Sequence, residues 1–455
     1  MVRYPQYPKY KPTPCTWLKE VPEHWSLKRL KNVATHNDEA LDESTDPDFE
    51  IEYVDISSVS LTNGIEKSEA IKFEKAPSRA RRKVKHGDII VSTVRTYLKA
   101  IAPISNPPEN MIVSTGFAVL RPMENLHSGF AGYLLQSNGF VGEVVANSVG
   151  VSYPAINASD LVRIAAVEPP WQEQQAIARF LDFKTAQIDT LIAKKQTLLE
   201  KLAEKRTALI SHAVTKGIDP SVSMKDSGVM WLGEVPAHWK VIPIKFSLDM
   251  PITDGPHSTP QFYEDGIPFL SAESVKNDRL DFSRMRGYIS EDDHAFFSKK
   301  YKPKFGDVYM VKSGATTGAV ARVETHDEFN IWSPLAVLRP HPDKSVSNYL
   351  FYVLKSKPFF YSVELSWSYG TQQNIGMGVI SNIRMALPPL KEQEQICRYL
   401  APLLQKIEDQ KSKIDSVIDR LQEYRSSLIT NAVTGKIDVR DFPIPSSTAE
   451  EVSHA

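Results

Sequence analysis

Two segments of this chain are near-copies of each other. Residues 168–219 read EPPWQEQQAIARFLDFKTAQIDTLIAKKQTLLEKLAEKRTALISHAVTKGID, and residues 387–438 read LPPLKEQEQICRYLAPLLQKIEDQKSKIDSVIDRLQEYRSSLITNAVTGKID. They align without a gap at an offset of 219 residues. The register extends beyond them, since GDIIV at Gly87 meets GDVYM at Gly306 at the same offset. AVLRP at Ala118 meets AVLRP at Ala336 one residue out of step. WLKEVPEHW (Trp17–Trp25) also returns as WLGEVPAHW (Trp231–Trp239), with seven of nine letters kept. Internal repetition fixes architecture before any local reading does. The chain is a tandem duplication, and each half is a variable globular part followed by the repeated segment.

The repeated segment has the spacing of a long helix. In the first copy Ile177, Leu181, Lys184, Ile188, Leu191, Lys195, Leu198, Leu202, Lys205 and Leu209 alternate by four and three. The second copy places Ile396, Leu400, Leu403, Ile407, Gln410, Ile414, Val417, Leu421, Tyr424 and Leu428 at the same points. Such a pattern, sustained over about five heptads, is a coiled-coil seam. Lys184, Lys195 and Lys205 stand opposite Leu403, Ile414 and Tyr424, so the two seams differ and their polar positions can fix register. Pro402 is expected to interrupt the second copy, leaving a short helix and then a long one. Gly217 with Pro220, and Gly435, are expected stops. Helices of about 28 to 40 residues would be about 42 to 60 Å long. Dimerisation through this coil and pairing within one chain are both open; both partners are present in one chain, which favours the second.

Residues 26–167 and 240–386 have another texture. Short apolar runs such as FEIEYVDI, GDIIVST, TGFAVLR, IPFLSAE, GDVYMVK and SPLAVLR are separated by Gly, Pro, Asn and Asp. These predict short strands in a mixed α/β (α+β) domain. Helices are expected near the end of each, at SGFAGYLLQSNGFVGEV and SNYLFYVLKSKPFFYSV. Weak mutual similarity between similar helical frames suggests one scaffold presenting two surfaces.

With 455 residues, 42% hydrophobic and 24% charged, the chain has the composition of a folded protein of two to four domains. No apolar stretch approaches the roughly 18 residues that span a bilayer. The opening MVRYPQYPKYKPTP lacks the apolar region of a signal peptide and is expected to be a flexible arm. Cys15 and Cys397 are the only cysteines, which fits a reducing cytoplasm and excludes a disulfide framework. A net charge of −1 leaves a nucleic-acid partner open, because binding depends on local patches.

Motifs of catalysis are missing. Asn106–Pro107–Pro108–Glu109 resembles the tetrapeptide of amino-methyltransferases, but Glu109 replaces the aromatic that stacks on the extruded base. A proline turn is the plainer reading. SGATTGAV at Ser313 lacks the GK[ST] of a phosphate-binding loop. The eleven His residues show no metal-ligand spacing. His24 and His238, inside the repeated Trp motif, suit packing or backbone bonding better than ligation. Pro47–Asp48 with scattered Glu-x-Lys triplets is too loose to define a nuclease.

Binding candidates remain. Arg79, Arg81, Arg82, Lys83 and Lys85 lie within seven residues in SRARRKVKHGD. They form either a solvated basic loop or a phosphate contact that releases counterions. STVRTYLK offers Arg95, Tyr97 and Lys99, and the equivalent place in the second half offers Lys312, Ser313, Thr316 and Thr317. DGPHSTPQF adds His257, Ser258 and Thr259, and SYGTQQNIG adds Tyr369, Thr371, Gln372, Gln373 and Asn374. Glycine-containing polar loops admit phosphate, Gln and Asn can pair with adenine, and Arg with guanine.

On the twice-written PP-x2-EQ…R-x-L…L-x-E-x-R…LI-x2-AVT-x2-ID segments, with W-L-x-E-V-P-x-H-W, TDGPHSTP and GTQQNIG, the chain resembles the specificity subunit of type I restriction–modification systems. The match runs over about residues 14–440. The resemblance implies two target-recognition domains, residues 17–167 and 220–386, each reading one half of a split sequence in double-stranded DNA. It implies two intervening helical regions, 168–219 and 387–440, pairing as an antiparallel coiled coil with pseudo-two-fold symmetry. Residues 1–16 and 441–455 would be a flexible arm and tail. No cofactor is implied on this chain. S-adenosylmethionine, ATP and Mg would belong to partners: modification subunits, expected as two, and restriction subunits. No membrane partner is implied. The first recognition domain departs from the pattern in lacking a counterpart of TDGPHSTP, which leaves its base-reading positions open. A related system with a fused nuclease–methyltransferase partner, and a coiled-coil scaffold with no DNA role, are the competing readings.

Overall fold

The computed structural model describes residues 4–365 and 374–443. It resolves into two compact units, one built from residues 1–195 and 416–455 and the other from 196–415. Each unit therefore contains one variable domain and part of both long helices.

The two variable domains share a topology despite their dissimilar sequences. In the first, a four-stranded antiparallel sheet has the order Ile101–Pro103, Ile89–Ser92, Phe117–Pro122, Ala34–His36. A second sheet orders Glu69–Lys72, Glu50–Val54, Met111–Ser114 and Ala80–Lys83, with Glu50–Val54 and Met111–Ser114 parallel. In the other unit, Thr253–Asp254, Leu335–Leu338, Val308–Val311 and Val320–Arg322 form the first sheet. Gly287–Ile289, Ile267–Leu270 and Asn330–Ile331 form the second, again with one parallel pair. This is the mixed α/β (α+β) fold expected. The apolar runs supply the buried strands: every residue of Ile89–Ser92 and of Val308–Val311 is buried.

The repeated GD and LRP letters explain why both halves fold alike. Asp88 and Asp307 are almost fully buried. Arg121 donates from Nε and Nη2 to the two oxygens of Asp88 at 2.8 and 2.9 Å. Arg339 does the same to Asp307 at 2.7 and 2.8 Å. A backbone N–H three residues earlier, of Lys85 or Lys304, completes each carboxylate. A buried ion pair is tolerated only with such fork geometry and extra donors.

Each expected helix near the end of a domain is a pair. Ser128–Gln136 and Asn138–Ala146 break at Ser137, whose hydroxyl caps the second helix by accepting from Phe140 N–H. Ser347–Leu354 and Lys357–Glu364 break at Ser356, with Pro358 in the first turn of the second.

The central helix runs Trp171–Lys216 and the C-terminal helix Leu390–Val433, 46 and 44 residues. Both are longer than the spacing suggested, about 69 and 66 Å at 1.5 Å per residue. Pro402 does not interrupt the second. It lies on an exposed face, as does Arg398, so the carbonyl that proline leaves without a donor can be hydrated. Gly217, at φ +78°, follows the last turn of the central helix as expected.

The buried stripe keeps much of the expected seam: Ile177, Leu181, Ile188, Leu202, Ile396, Leu400, Ile407, Ile414 and Leu428 are buried. Several members between them move by one residue. Ile192 is 7% exposed and Leu191 46%; Leu198 is exposed at 41% while Leu199 is half-buried. In the second helix Ile418 is buried and Val417 exposed. Lys184 rests instead over the rings of Phe183 and Phe442. Within the first unit Asp189 of the central helix accepts from Arg425 of the other at 2.9 Å. Within the second, Ile210 and Val214 share a buried cluster with Ile396 and Leu400.

The tryptophan motifs dock the variable domains onto the helix ends. Trp25 is fully buried and its Nε1–H donates to Glu173 at 2.8 Å, in the first turn of the central helix. Glu173 also meets His24 at 2.6 Å, the Tyr7 hydroxyl at 3.2 Å and Arg440 at 3.7 Å. In the second unit His238 meets Glu392 at 2.8 Å, beside a fully buried Trp239. The two histidines thus bind carboxylates. The opening segment is correspondingly docked from Tyr4 onward, not a free arm: Tyr10–Pro12 pairs with Glu20–Pro22, Tyr7 is buried, and Tyr4 packs edge-on against Phe180.

Ile192→Ala is expected to cost roughly 2–5 kcal/mol through a core cavity, and Leu191→Ala within about 0.5 kcal/mol of nothing. Urea unfolding of both variants checks which phase is buried.

Candidate nucleic-acid interface

In the second unit three of the expected loops meet around one buried carboxylate. Asp254, the second residue of TDGPHSTP, is 1% exposed. Lys300 Nζ lies 2.6 Å from its Oδ1, and Lys312 Nζ and His257 Nε2 lie 3.3 Å from its Oδ2. Burial pushes the Asp254 carboxyl up, but Lys300 and Lys312 outweigh it and hold the group below its ordinary range. Gly255 is needed beside it, because a Cβ there would lie 1.8 Å from the Ile331 carbonyl oxygen. His257, Ser258 and Thr259 follow, all exposed.

Lys312 is a junction for the other loops. Its carbonyl accepts from Ile375 N–H at 2.8 Å, and Ser313 bridges Asn374. The turn beyond has left-handed glycines at Gly314 (φ +102°) and Gly318 (φ +92°), with Thr316 exposed between them and the Thr317 hydroxyl donating to Gly314 O. Tyr369, Thr371, Gln372 and Gln373 lie outside the described residues.

The first unit has the same turn with different residues. Arg95 and Lys99, 219 positions before Gly314 and Gly318, take φ +50° and +53°. Leu98 N–H donates to Arg95 O as Thr317 N–H donates to Gly314 O. Ile156 N–H donates to Thr93 O at 2.9 Å, matching the Ile375–Lys312 bond. Tyr97 and Lys99 are exposed on this turn.

The five-cation cluster lies on and beside the strand Ala80–Lys83 rather than in a loop. Arg79 donates to the Tyr53 hydroxyl and lies 2.7 Å from Asp55, and these partners raise its pKa further. Arg81 stacks on Phe73 at 4.5 Å, and Lys85 is paired with Glu39. Arg82 is half-buried, and Lys83 is exposed. Arg79 and the Arg95 turn adjoin the same connector: Thr115 N–H donates to Arg79 O, and Thr93 N–H to Gly116 O.

Three features of this surface have no mark in the local sequence. Asp254 was inside a recognised motif, yet its role as hub needs Lys300, 46 residues away in sequence. Asp55 carries no local signal. Residues 148–154 of the first domain, SVGVSYP, have an apolar composition that reads as interior, yet Val149, Val151 and Tyr153 are exposed.

Comparison with known proteins gives the class. The family model described as "Type I restriction modification DNA specificity domain" matches residues 22–201 and again 251–418. The chain therefore belongs to the type I restriction–modification DNA specificity family, as a non-catalytic specificity subunit with two copies of the domain. It is 24% identical over 442 residues to the putative type I restriction enzyme MjaX specificity subunit of Methanocaldococcus jannaschii, covering 93% of this chain and 96% of that one. Against the EcoKI specificity subunit of Escherichia coli K12 it is 22% identical over 325 residues, covering 70% and 68%. A solved chain, described under complex assembly and conformational transition of the type I R-M system, shares the fold with a TM-score of 0.67 at 24% identity, covering 91% of this chain and 98% of that one. Among the described residues no helix is long and apolar enough to cross a membrane.

Asp254→Asn removes the charge that Lys300 and Lys312 neutralise, and is expected to cost roughly 3–5 kcal/mol. A carboxyl held low in the folded state stabilises above its unfolded pKa, and that stability disappears as pH falls through the folded value. The gap in melting temperature between wild type and variant should be full at neutral pH and close below about pH 4.

Proposed function

We propose that each unit reads one half of a split sequence in double-stranded DNA, using the turn at Arg95–Lys99 in one and at Gly314–Gly318 in the other. The observation that carries this reading is the shared backbone frame: the same turn and the same anchoring bond recur, with different side chains. Arg79, Arg81, Arg82, Lys83 and Lys85 border the first reading surface and contribute phosphate contacts; His257, Ser258, Thr259, Lys312, Ser313, Thr316 and Asn374 serve the second. Gln372 and Gln373 are assigned to base reading by their chemistry.

The two long helices pair antiparallel as a spacer. Support comes from where they touch inside each unit: an early residue of the central helix, Asp189, with a late one of the other, Arg425, and late residues, Ile210 and Val214, with early ones, Ile396 and Leu400. Half-sites on one face of B-DNA recur about every 34 Å, a span that helices of this length exceed. Two modification subunits carrying S-adenosylmethionine, and restriction subunits using ATP and Mg, supply the chemistry in the cytoplasm.

Methylome sequencing of cells carrying the chain with its modification partner tests both parts. Exchanging residues 26–167 for another such domain should change one half-site only; a change in both rejects one unit per half-site. Inserting one heptad into both long helices, at paired positions, should lengthen the spacer and leave the half-sites alone. An unchanged spacer in a complex that still methylates removes the ruler.

A further inference from the structure

The loop Ser148–Pro154 closes on itself at its base. Val149 and Ala155 exchange backbone bonds of 2.8 and 3.0 Å, and the Ser148 hydroxyl meets the Thr96 hydroxyl at 2.8 Å. Gly150, at φ +113°, makes the turn, where a Cβ would lie 3.1 Å from the Tyr153 carbonyl oxygen. From this fixed base Val151 is fully exposed and Tyr153 is 66% exposed. The Arg95 guanidinium lies over the Tyr153 ring, 4.9 Å from its centroid.

Arg95, like Arg81 on Phe73, is held by a ring rather than by a carboxylate. Arg79 and Arg121 are neutralised by Asp55 and Asp88. Among the described residues no acidic side chain lies within ion-pair distance of Arg95. Its backbone holds a left-handed conformation that glycine fills at the matching position of the other unit, Gly314. Non-glycine residues keep such a conformation at a cost, and instances of it cluster at ligand-binding and active sites. Among the described residues the Arg95 guanidinium, packed over the Tyr153 ring, donates no hydrogen bond to a protein acceptor. A planar fork so presented matches the O6 and N7 acceptors of guanine in the major groove. The exposed valines beside it suit the thymine methyl group.

Resting on the half-site reading above, we propose that Arg95, held on Tyr153, reads a guanine in the half-site of the first unit, and that residues 149–153 form the apolar wall of that contact. Tyr153 is a positioning residue, acting through Arg95.

The test uses the chain in complex with its modification subunit, with methylation mapped at single-base resolution. Arg95→Ala should lower the preference for guanine at one position of one half-site by roughly 5- to 150-fold, with the other half-site unchanged. Arg95→Gln should shift that position towards adenine. Tyr153→Ala should relax the same position, and Tyr153→Phe, which keeps the ring, should not. An Arg95→Ala complex that keeps the wild-type motif, binds all sequences more weakly and loses about one unit of salt slope would make Arg95 a phosphate contact and overturn the assignment. Loss of the modification subunit from purified variant complexes would make the loop a protein contact and overturn it equally. If the wild-type complex itself shows no bipartite motif, the half-site reading fails. If wild type shows one and every variant matches it, only the Arg95 assignment fails.

Discussion

A single carboxylate holds the first unit shut. Glu173 sits in the first turn of the central helix, where the helix dipole favours a negative charge. It gathers Trp25, His24, Tyr7 and Arg440 from three separate stretches of chain. Remove that group and the buried Trp25 N–H, the opening segment and the last residues after the C-terminal helix lose a shared anchor. The second unit repeats the plan with Glu392 and His238, but Trp239 Nε1 has no hydrogen-bond partner among the described residues. One junction is a saturated network and the other a leaner version of it. Both place a variable domain at a helix end.

From those seats the domains share their first sheet and diverge in the second, which has four strands in one and three in the other. The Asp88–Arg121 and Asp307–Arg339 pairs keep that first sheet in the same arrangement while the residues between strands change freely. At the matched turn, one unit places arginine and lysine where the other places two glycines. The backbone path is common, and the chemistry offered from it differs.

Much of this was legible in the letters because the repeat is long and its period helical. Strand runs such as GDIIVST and GDVYMVK declared themselves by apolar density between turn residues. Part of the seam phase was not legible, since Leu191 and Ile192, or Leu198 and Leu199, satisfy heptad spacing equally and only packing chooses between them. Pro402 misled because sequence does not say which face a residue occupies. At the site, cations and amides were found as residue types, but their partners were not. Lys300 reaches Asp254, and Tyr53 and Asp55 hold Arg79, across distances that local patterns do not record. The Val149–Tyr153 loop was missed for the opposite reason: its apolar letters describe a core, and its exposure belongs to the fold.

The division of the chain has a consequence for synthesis. Residues 196–415 form a continuous stretch, so everything the second unit needs is present once that stretch has left the ribosome. The first unit, although made first, closes only when residues 416–442 arrive to meet Asp189, Tyr4, Phe180 and Glu173. For most of translation its seat around Trp25 and Phe180 stands open, an apolar surface of the kind that chaperones hold. The domain translated first is thus completed last, and a chain cut short just after residue 415 keeps a finished second unit and an unsealed first.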